Sequence, residues 1–554
     1  MPFLKNTGPV MAKNEINTFS LATQASGGRQ KKEILPAIVL CICLVAFFVK
    51  AVTSMVQESA TWDETTYFGL GKYILQNHRW DVPGATLHPP LSYYIHDIPL
   101  LFFHTDRSVW TEYQSQTDTN LIALSSIIRG QALLSSPANR GDRLLILARL
   151  MMVLTAVLLG WFVYLWSYSL YGKWSAMLAV ILFSFCPNIL ANARLITPDI
   201  TLTTFSFATL YYFWRHFNNN RLRDAVLGGI CFGLALLSKF TSILLFPTCI
   251  LLMVLWAIKQ RTLKTGHCFM FVGIGVGILC LGYGMNLSPY FHGIFFQNEN
   301  AEYHESFLMG KYSTAGWWYY FIAAFLIKTP IAAIIFLVIA LVLFWGDARK
   351  GAWINEMFLL VPAATIFCFF SLDHQSIGLR YILPIYPFLY VFASRVAQSF
   401  LSDKRLTGLS VAAVGWYIGA SCYIHPHYLA YFNELAGGPD NGYKYLVDSN
   451  LDWGQDLKGL KIYMQNHGIS RINLSYFGTD SPTRYGIAFN WLPSWVLISP
   501  DPKRHELPTK GWFAISATNI QGVYFDDRDL YAWFREHEPV AKIGYSIFIY
   551  KIDN

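Results

Sequence analysis

The chain has 554 residues, of which 54% are hydrophobic and only 14% charged, against about 25% charged in an ordinary soluble protein. That balance excludes a single soluble globular domain, and aromatics at 16% fit the interfacial Trp and Tyr belts of a membrane protein. Much of the net charge of +8 sits in short loops between apolar segments, where membrane topology explains it better than a nucleic-acid partner.

Residues 1–33 are polar and carry Lys5, Lys13, Arg29, Lys31 and Lys32. The apolar run from Ile34 to about Met55 is too long for a signal-peptide core and lacks a small-residue cleavage site. It reads as an uncleaved anchor with its basic tail in the cytoplasm, which sets residues 56–143 outside. Ten further apolar segments follow near 144–169, 174–191, 199–217, 225–239, 240–258, 268–288, 317–345, 355–372, 381–400 and 406–424. The stretch 225–258 is too long for one crossing, so it is split at Ser238-Lys239 into a hairpin. Lys173, Arg221 with Arg223, Lys259 with Arg261 and Lys264, Arg349 with Lys350, and Lys404 with Arg405 then fall in alternate loops, assigned inside.

The tail after residue 425 has a different texture and lies outside in this count. Asp452 through His467 predicts an amphipathic helix stopped by Gly468. β-rich runs follow at Ile472–Phe477, Trp495–Ser499, Trp512–Ala517 and Tyr545–Tyr550, with a second helix around Asp527–His537. The expected fold class is an all-α polytopic membrane protein of about 11 transmembrane helices with a small α/β extracytoplasmic domain. Its expected parts are a cytoplasmic tail (1–33), a transmembrane body (34–425) whose outer loop 56–143 carries an acidic motif, and the α/β domain (426–554). All nine cysteines lie in or beside apolar segments with no C-x-x-C or Cys/His spacing, so neither a disulfide framework nor a zinc site is expected.

Ionisable groups near the outer face carry the most information, because charge near lipid is costly. Asp63 and Glu64 follow the first span, and a rigid His88-Pro89-Pro90-Leu91 corner closes the same stretch. Arg143 and Arg149 open span two, and Arg194 to Asp199 form the loop before span four. Lys239 sits at the hairpin tip, Glu299 to Lys311 form an acidic loop before span eight, Lys328 lies within span eight and Arg380-Tyr381 opens span ten. Each has a bland reading. Asp63, Glu64 and Asp199 could cap helices, the arginines at 143 and 149 could snorkel, and Lys239 and Arg380 could mark helix ends.

Together, Asp63-Glu64, the His88-Pro89-Pro90-Leu91 corner, the Arg194-x-x-Thr197-Pro198-Asp199 loop and the span layout resemble the polyprenyl-phosphate-sugar glycosyltransferases of GT-C fold. These include the protein O-mannosyltransferases and the bacterial aminoarabinose transferase of lipid A. The resemblance covers roughly residues 34–425, and the run Asp448 to Leu457 resembles one in bacterial members. It implies a multi-span helical enzyme in a bacterial inner membrane, with its site at the outer face and a lipid-phosphate sugar as donor. The short loop at 289–316 lacks the β-trefoil insertion of the eukaryotic protein mannosyltransferases, so the acceptor stays open among protein, glycan and lipid.

Displacing a lipid phosphate from an anomeric carbon needs a base on one side and positive charge on the other. Phosphate is already a good leaving group and no nucleotide diphosphate has to be neutralised, so no metal or other cofactor is expected. Asp63 is the expected base, with Glu64 and Asp199 orienting acceptor or sugar or tuning Asp63. His88, Arg143, Arg194, Lys239, Lys328 and Arg380 are the expected ligand-binding set, the cations gripping the phosphate. The family's single-step mechanism implies inversion. The rival reading is a transporter or flippase of a lipid-linked intermediate. Such proteins place charges at mid-membrane and show repeated halves, and neither feature is present here.

Overall fold

A computed structural model describes residues 34–80, 82, 84–105, 119–261, 267–300, 305–351, 353–373, 375–400, 403–494 and 507–553. The basic tail 1–33, the run Trp495–Ser499 and, in the acidic loop, Glu302, Tyr303 and His304 lie outside the described residues.

Each expected apolar segment carries helix, and the breaks have local causes. Among the described residues five helices are long and apolar enough to cross a membrane: Ile34–Met55, Gly141–Tyr171, Phe240–Gln260, Ile331–Ala348 and Ile354–Leu372. Lys173–Ser184 and Pro187–Ala193, bent by 59° where Pro187 interrupts the run, make a sixth if counted as one. The other expected spans are shorter or more polar. Leu222–Leu236 and Cys268–Gly282 have 15 residues each, and Asp199–Asn219 ends in Arg215, His216 and three asparagines nearby. The short pair packs closely: a methyl group on Gly233 would sit 2.6 Å from the Gly275 carbonyl, so small residues let the two backbones approach.

The expected span at 317–345 is two helices, Tyr320–Lys328 and Ile331–Ala348, separated at Thr329-Pro330. A break leaves helix-end carbonyls without intrahelical partners. Here Asn433 Nδ2 donates to Leu326 O at 2.6 Å and Thr329 O at 2.8 Å, its N–H donates to Ile327 O, and Asn188 Nδ2 donates to Lys328 O. The chain that follows the last helix therefore runs back over the membrane body as a strap of 3-10 turns from Tyr428 to Asn450.

The hairpin β1 (Ser306–Leu308) and β2 (Lys311–Ser313) turns at Met309 and Gly310, both at positive φ. Five further strands form a mixed sheet: β3 (Ile472–Ser475), β4 (Phe489–Trp491), β5 (Gly511–Ser516), β6 (Ala541–Ile543) and β7 (Ile547–Ile552). Their order is β4-β3-β5-β7-β6; β3 is parallel to β4 and β5, and β7 is antiparallel to β5 and β6. Strand alternation splits the sheet's two faces between two cores. Ala514, Ile547 and Ile549 pack under the helix Leu457–Asn466, whereas Phe513, Ile515, Phe548 and Tyr550 join the apolar cluster that continues into the membrane helices. The sheet is thus docked on the membrane body by its own second face.

Candidate active site

Asp63 lies on the short helix Trp62–Tyr67, which begins with a reciprocal cap in which Glu64 Oε2 accepts the Thr61 N–H at 2.8 Å. Successive helical residues point about 100° apart, so the adjacent carboxylates meet different surroundings. Glu64 turns inward, where Arg149 Nε donates to its Oε1 at 2.8 Å and Nη2 to its Oε2 at 2.6 Å. Burial pushes the Glu64 carboxyl up, but the Arg149 charge and hydrogen bonds more than offset it and hold the group below the usual carboxylate range. Arg149 also donates to the carbonyls of Met55, Glu58 and Ser59. Glu64 is therefore an anchor joining the segment after the first apolar helix to the helix Gly141–Tyr171, rather than the acceptor-orienting group the sequence suggested. Breaking a fully buried ion pair costs about 3–5 kcal/mol. Glu64→Ala should therefore sharply lower the unfolding midpoint of the detergent-purified protein. An unchanged midpoint with lost activity would return Glu64 to the site.

Asp63 faces a cavity of about 620 Å³ together with Trp62, His88, Lys239, Arg380 and Tyr381, within the size range of ordinary ligand sites. Arg380 Nη1 lies 2.7 Å from Asp63 Oδ2 and 3.8 Å from Asp199 Oδ2, while Lys239 Nζ donates to Asp199 Oδ1 at 2.8 Å. Asp63, Arg380 and Lys239 line this wall, and Asp199 lies buried behind the two cations. The Arg380 guanidinium rests 4.3 Å from the Trp453 ring centroid, and Lys239 Nζ is 4.9 Å from that of Tyr381.

Local structure explains each placement. The helix Leu222–Leu236 ends just before Lys239, whose extended backbone leads into the next helix from Phe240. Leu237 O accepts the Leu91 N–H at 2.9 Å, which ties the His88-Pro89-Pro90-Leu91 corner to that tip. Burial first, then the Lys239 charge, hold the His88 imidazole well below its usual range, so it is neutral at pH 7. Arg380 is positioned by Asn450, whose Oδ1 accepts the Leu379 N–H and whose Nδ2 donates to Ile377 O, both at 2.9 Å. Gly378 between them packs closely on Ser449: an added methyl would lie 2.2 Å from its Oγ and 3.3 Å from its Cβ.

Three of the cations expected to bind ligand lie elsewhere. Arg143 is exposed, 5.7 Å from the Phe103 ring centroid. Arg194 is fully buried, pairs with Glu58 and does not line the cavity. Lys328, at the helix break, donates its ammonium to the carbonyls of Leu429 and Asn450 and lies 4.4 Å from the Phe432 ring centroid. It secures the strap that carries Asn450.

The remaining wall comes from the C-terminal domain, through Asp448, Trp453, Phe477 and Tyr524. That domain is stitched to the segment after the first apolar helix: Trp62 N–H donates to Trp453 O at 2.9 Å, Ser59 Oγ to Gly454 O at 2.9 Å, and Thr65 Oγ1 to Thr479 Oγ1 at 2.7 Å. Sequence reasoning singled out the Asp448 to Leu457 run but gave none of its residues a role. Its clue was polar and aromatic density just after a membrane segment.

Residues 141–282 match the family described as dolichyl-phosphate-mannose-protein mannosyltransferase, a stretch that holds Arg149, Asp199 and Lys239 but not Asp63 or Arg380. No curated protein matches the chain in sequence. Among solved structures, ArnT from Cupriavidus metallidurans bound to undecaprenyl phosphate is 14% identical, with a TM-score of 0.50 over 93% of this chain and 97% of that one. The apo state of the same protein is similar at 13% identity and a TM-score of 0.48. An Archaeoglobus fulgidus oligosaccharyltransferase is 15% identical, with a TM-score of 0.42 over 71% of this chain and 54% of that chain. A mannosyltransferase-family segment at residues 141–282, in a chain similar in fold to ArnT along nearly its whole length, marks this protein as a glycosyltransferase.

Proposed function

We propose that this enzyme moves a sugar, with inversion, from a polyprenyl-phosphate carrier to an acceptor hydroxyl at the outer face of a bacterial inner membrane. One observation carries the reading: a carboxylate, Asp63, and two cations, Lys239 and Arg380, share one cavity wall. The cavity's other side is apolar, with Ile243, Phe295 and Phe369 reaching the protein surface, 49%, 67% and 41% exposed. A prenyl chain leaving through that mouth would place its phosphate between Lys239 and Arg380. The alternation of basic loops supports a cytoplasmic N-terminus and an outer C-terminal domain.

In this reading the acceptor oxygen attacks the anomeric carbon while Asp63 takes its proton. The bond from that carbon to the phosphate oxygen breaks, and the oxygen keeps the electron pair under the charge of Lys239 and Arg380. Arg380 pairs with Asp63 and lies near Asp199. The incoming phosphate competes for it, which leaves Asp63 less tightly paired as the acceptor enters. The cations are side chains, so the reading calls for no further cofactor.

The full-length protein, incubated with labelled polyprenyl-phosphate sugars and envelope acceptors, should release free carrier phosphate only when acceptor is present. Transport of the intact lipid across vesicle membranes with no phosphate released would contradict the proposal.

A further inference from the structure

We propose that Trp453, on the C-terminal domain, is a positioning residue of the phosphate clamp: its ring backs the Arg380 guanidinium while its carbonyl holds the helix that carries Asp63. One residue thereby sets the clamp relative to the base. This rests on the lipid-phosphate reading above, in which Arg380 receives the donor phosphate.

Arg380 enters the cavity wall from the 3-10 turn Leu379–Ile382, and holding its long side chain in one geometry costs rotamer freedom. The ion pair with Asp63 uses Nη1, and among the described residues Nε has no hydrogen-bond partner. Ring contact supplies the rest of the restraint. The Trp453 centroid lies 4.3 Å from the guanidinium carbon, against 5.4 Å for that of Tyr381. Indole attracts a cation more strongly than the other aromatic rings do, and the attraction grows where water is excluded. Trp453 is 2% exposed. A guanidinium donates to phosphate through its N–H fork and rests on aromatic rings through its face. The donor therefore competes with Asp63 for Arg380 but not with Trp453.

The loop that presents Trp453 is fastened on both flanks. Asp452 Oδ2 accepts the Thr518 N–H at 2.8 Å, Gln455 Oε1 accepts the Trp453 N–H at 2.8 Å, and Gln455 Nε2 donates to Leu451 O at 2.9 Å. Gly454 holds φ at 85°, and an added methyl would lie 2.8 Å from the Gly478 Cα, so the turn passes where glycine alone fits. Trp453 O then accepts the N–H of Trp62, the residue beside Asp63, at 2.9 Å. The Asp452 to Gln455 run thus places one ring and one carbonyl, and the two meet the clamp and the base.

The test uses the full-length protein in nanodiscs doped with a polyprenyl phosphate, or with the uncharged polyprenol as control. Native mass spectrometry reads bound carrier and gives its apparent Kd. Trp453→Leu should raise that Kd about tenfold, the size of a desolvated cation–π contact, and Trp453→Phe, with a smaller ring, about threefold. In an Arg380→Ala background neither substitution should weaken binding further, because the ring acts through that guanidinium. A merely structural Trp453 would instead give losses that add to the loss from Arg380→Ala. Losses that persist in that background, wild-type binding by Trp453→Phe, or a Trp453→Phe protein as impaired as Trp453→Leu would each overturn the proposal. Should Trp453→Leu fail to fold, the cycle between Trp453→Phe and Arg380→Ala decides alone. Wild-type protein that binds the phosphate no better than the polyprenol would bring down the lipid-phosphate reading, and the role of Trp453 with it.

Discussion

Asp63→Asn should lower kcat by about 10²–10⁴-fold, the usual contribution of a general base, without weakening donor binding. The amide keeps the carboxylate's shape but cannot take a proton at neutral pH. The structure adds a sign to the second half of this result. Asp63 pairs with Arg380 at 2.7 Å, so its neutral replacement frees that guanidinium for phosphate and donor affinity should stay level or rise. A purely structural Asp63 would behave otherwise, because loss of its largely buried pair with Arg380 would lower stability and spare turnover. Steady-state kinetics beside a donor-binding isotherm separates the two. Near wild-type turnover in Asp63→Asn would remove it as the base.

Lys239→Ala should fail in the opposite manner, by losing donor affinity. A hydrogen bond to a charged group is worth about 1.5–3 kcal/mol, which is roughly a 10–100-fold rise in donor Kd. The complication is Asp199, buried at 1% exposure and left with Arg380 3.8 Å away once Lys239 is gone. An unpaired buried carboxylate could itself repel the phosphate. The double variant Lys239→Ala with Asp199→Asn removes that repulsion but does not restore a phosphate partner. Donor affinity should remain low in the double variant. Full recovery would mean that Lys239 only neutralises Asp199.

The helical segments were legible because each carries its own apolar run, and helices fall where those runs lie. Asp63, His88, Lys239 and Arg380 were legible as a set because the loops bearing them share one predicted face. The separate fates of Asp63 and Glu64 were not. They depend on Arg149, 85 positions away in sequence, whose guanidinium fits both Glu64 oxygens. Lys328 and Arg194 misled for a similar reason. A cation near a membrane face looks available until the carbonyl or carboxylate that consumes it is seen, here Leu429, Asn450 and Glu58. The tail's share in the site was hidden as well. Asn450 acts by reading the backbone on both sides of Arg380, a contact that no pattern local to either segment encodes. Strand boundaries in the tail were close, yet β4 and β6, three residues each, carry too short a pattern to stand out from loops.

The most direct test of a one-step displacement in this cavity is the configuration at the anomeric carbon of the product. Proton NMR of the glycosylated acceptor, formed from a donor of known configuration, reads it from the coupling of the anomeric hydrogen. A single displacement in which Asp63 takes the acceptor's proton while Lys239 and Arg380 hold the leaving phosphate predicts complete inversion. Retention would require a covalent sugar–enzyme intermediate or attack from the phosphate's own face, and either would contradict the arrangement proposed for Asp63, Lys239 and Arg380.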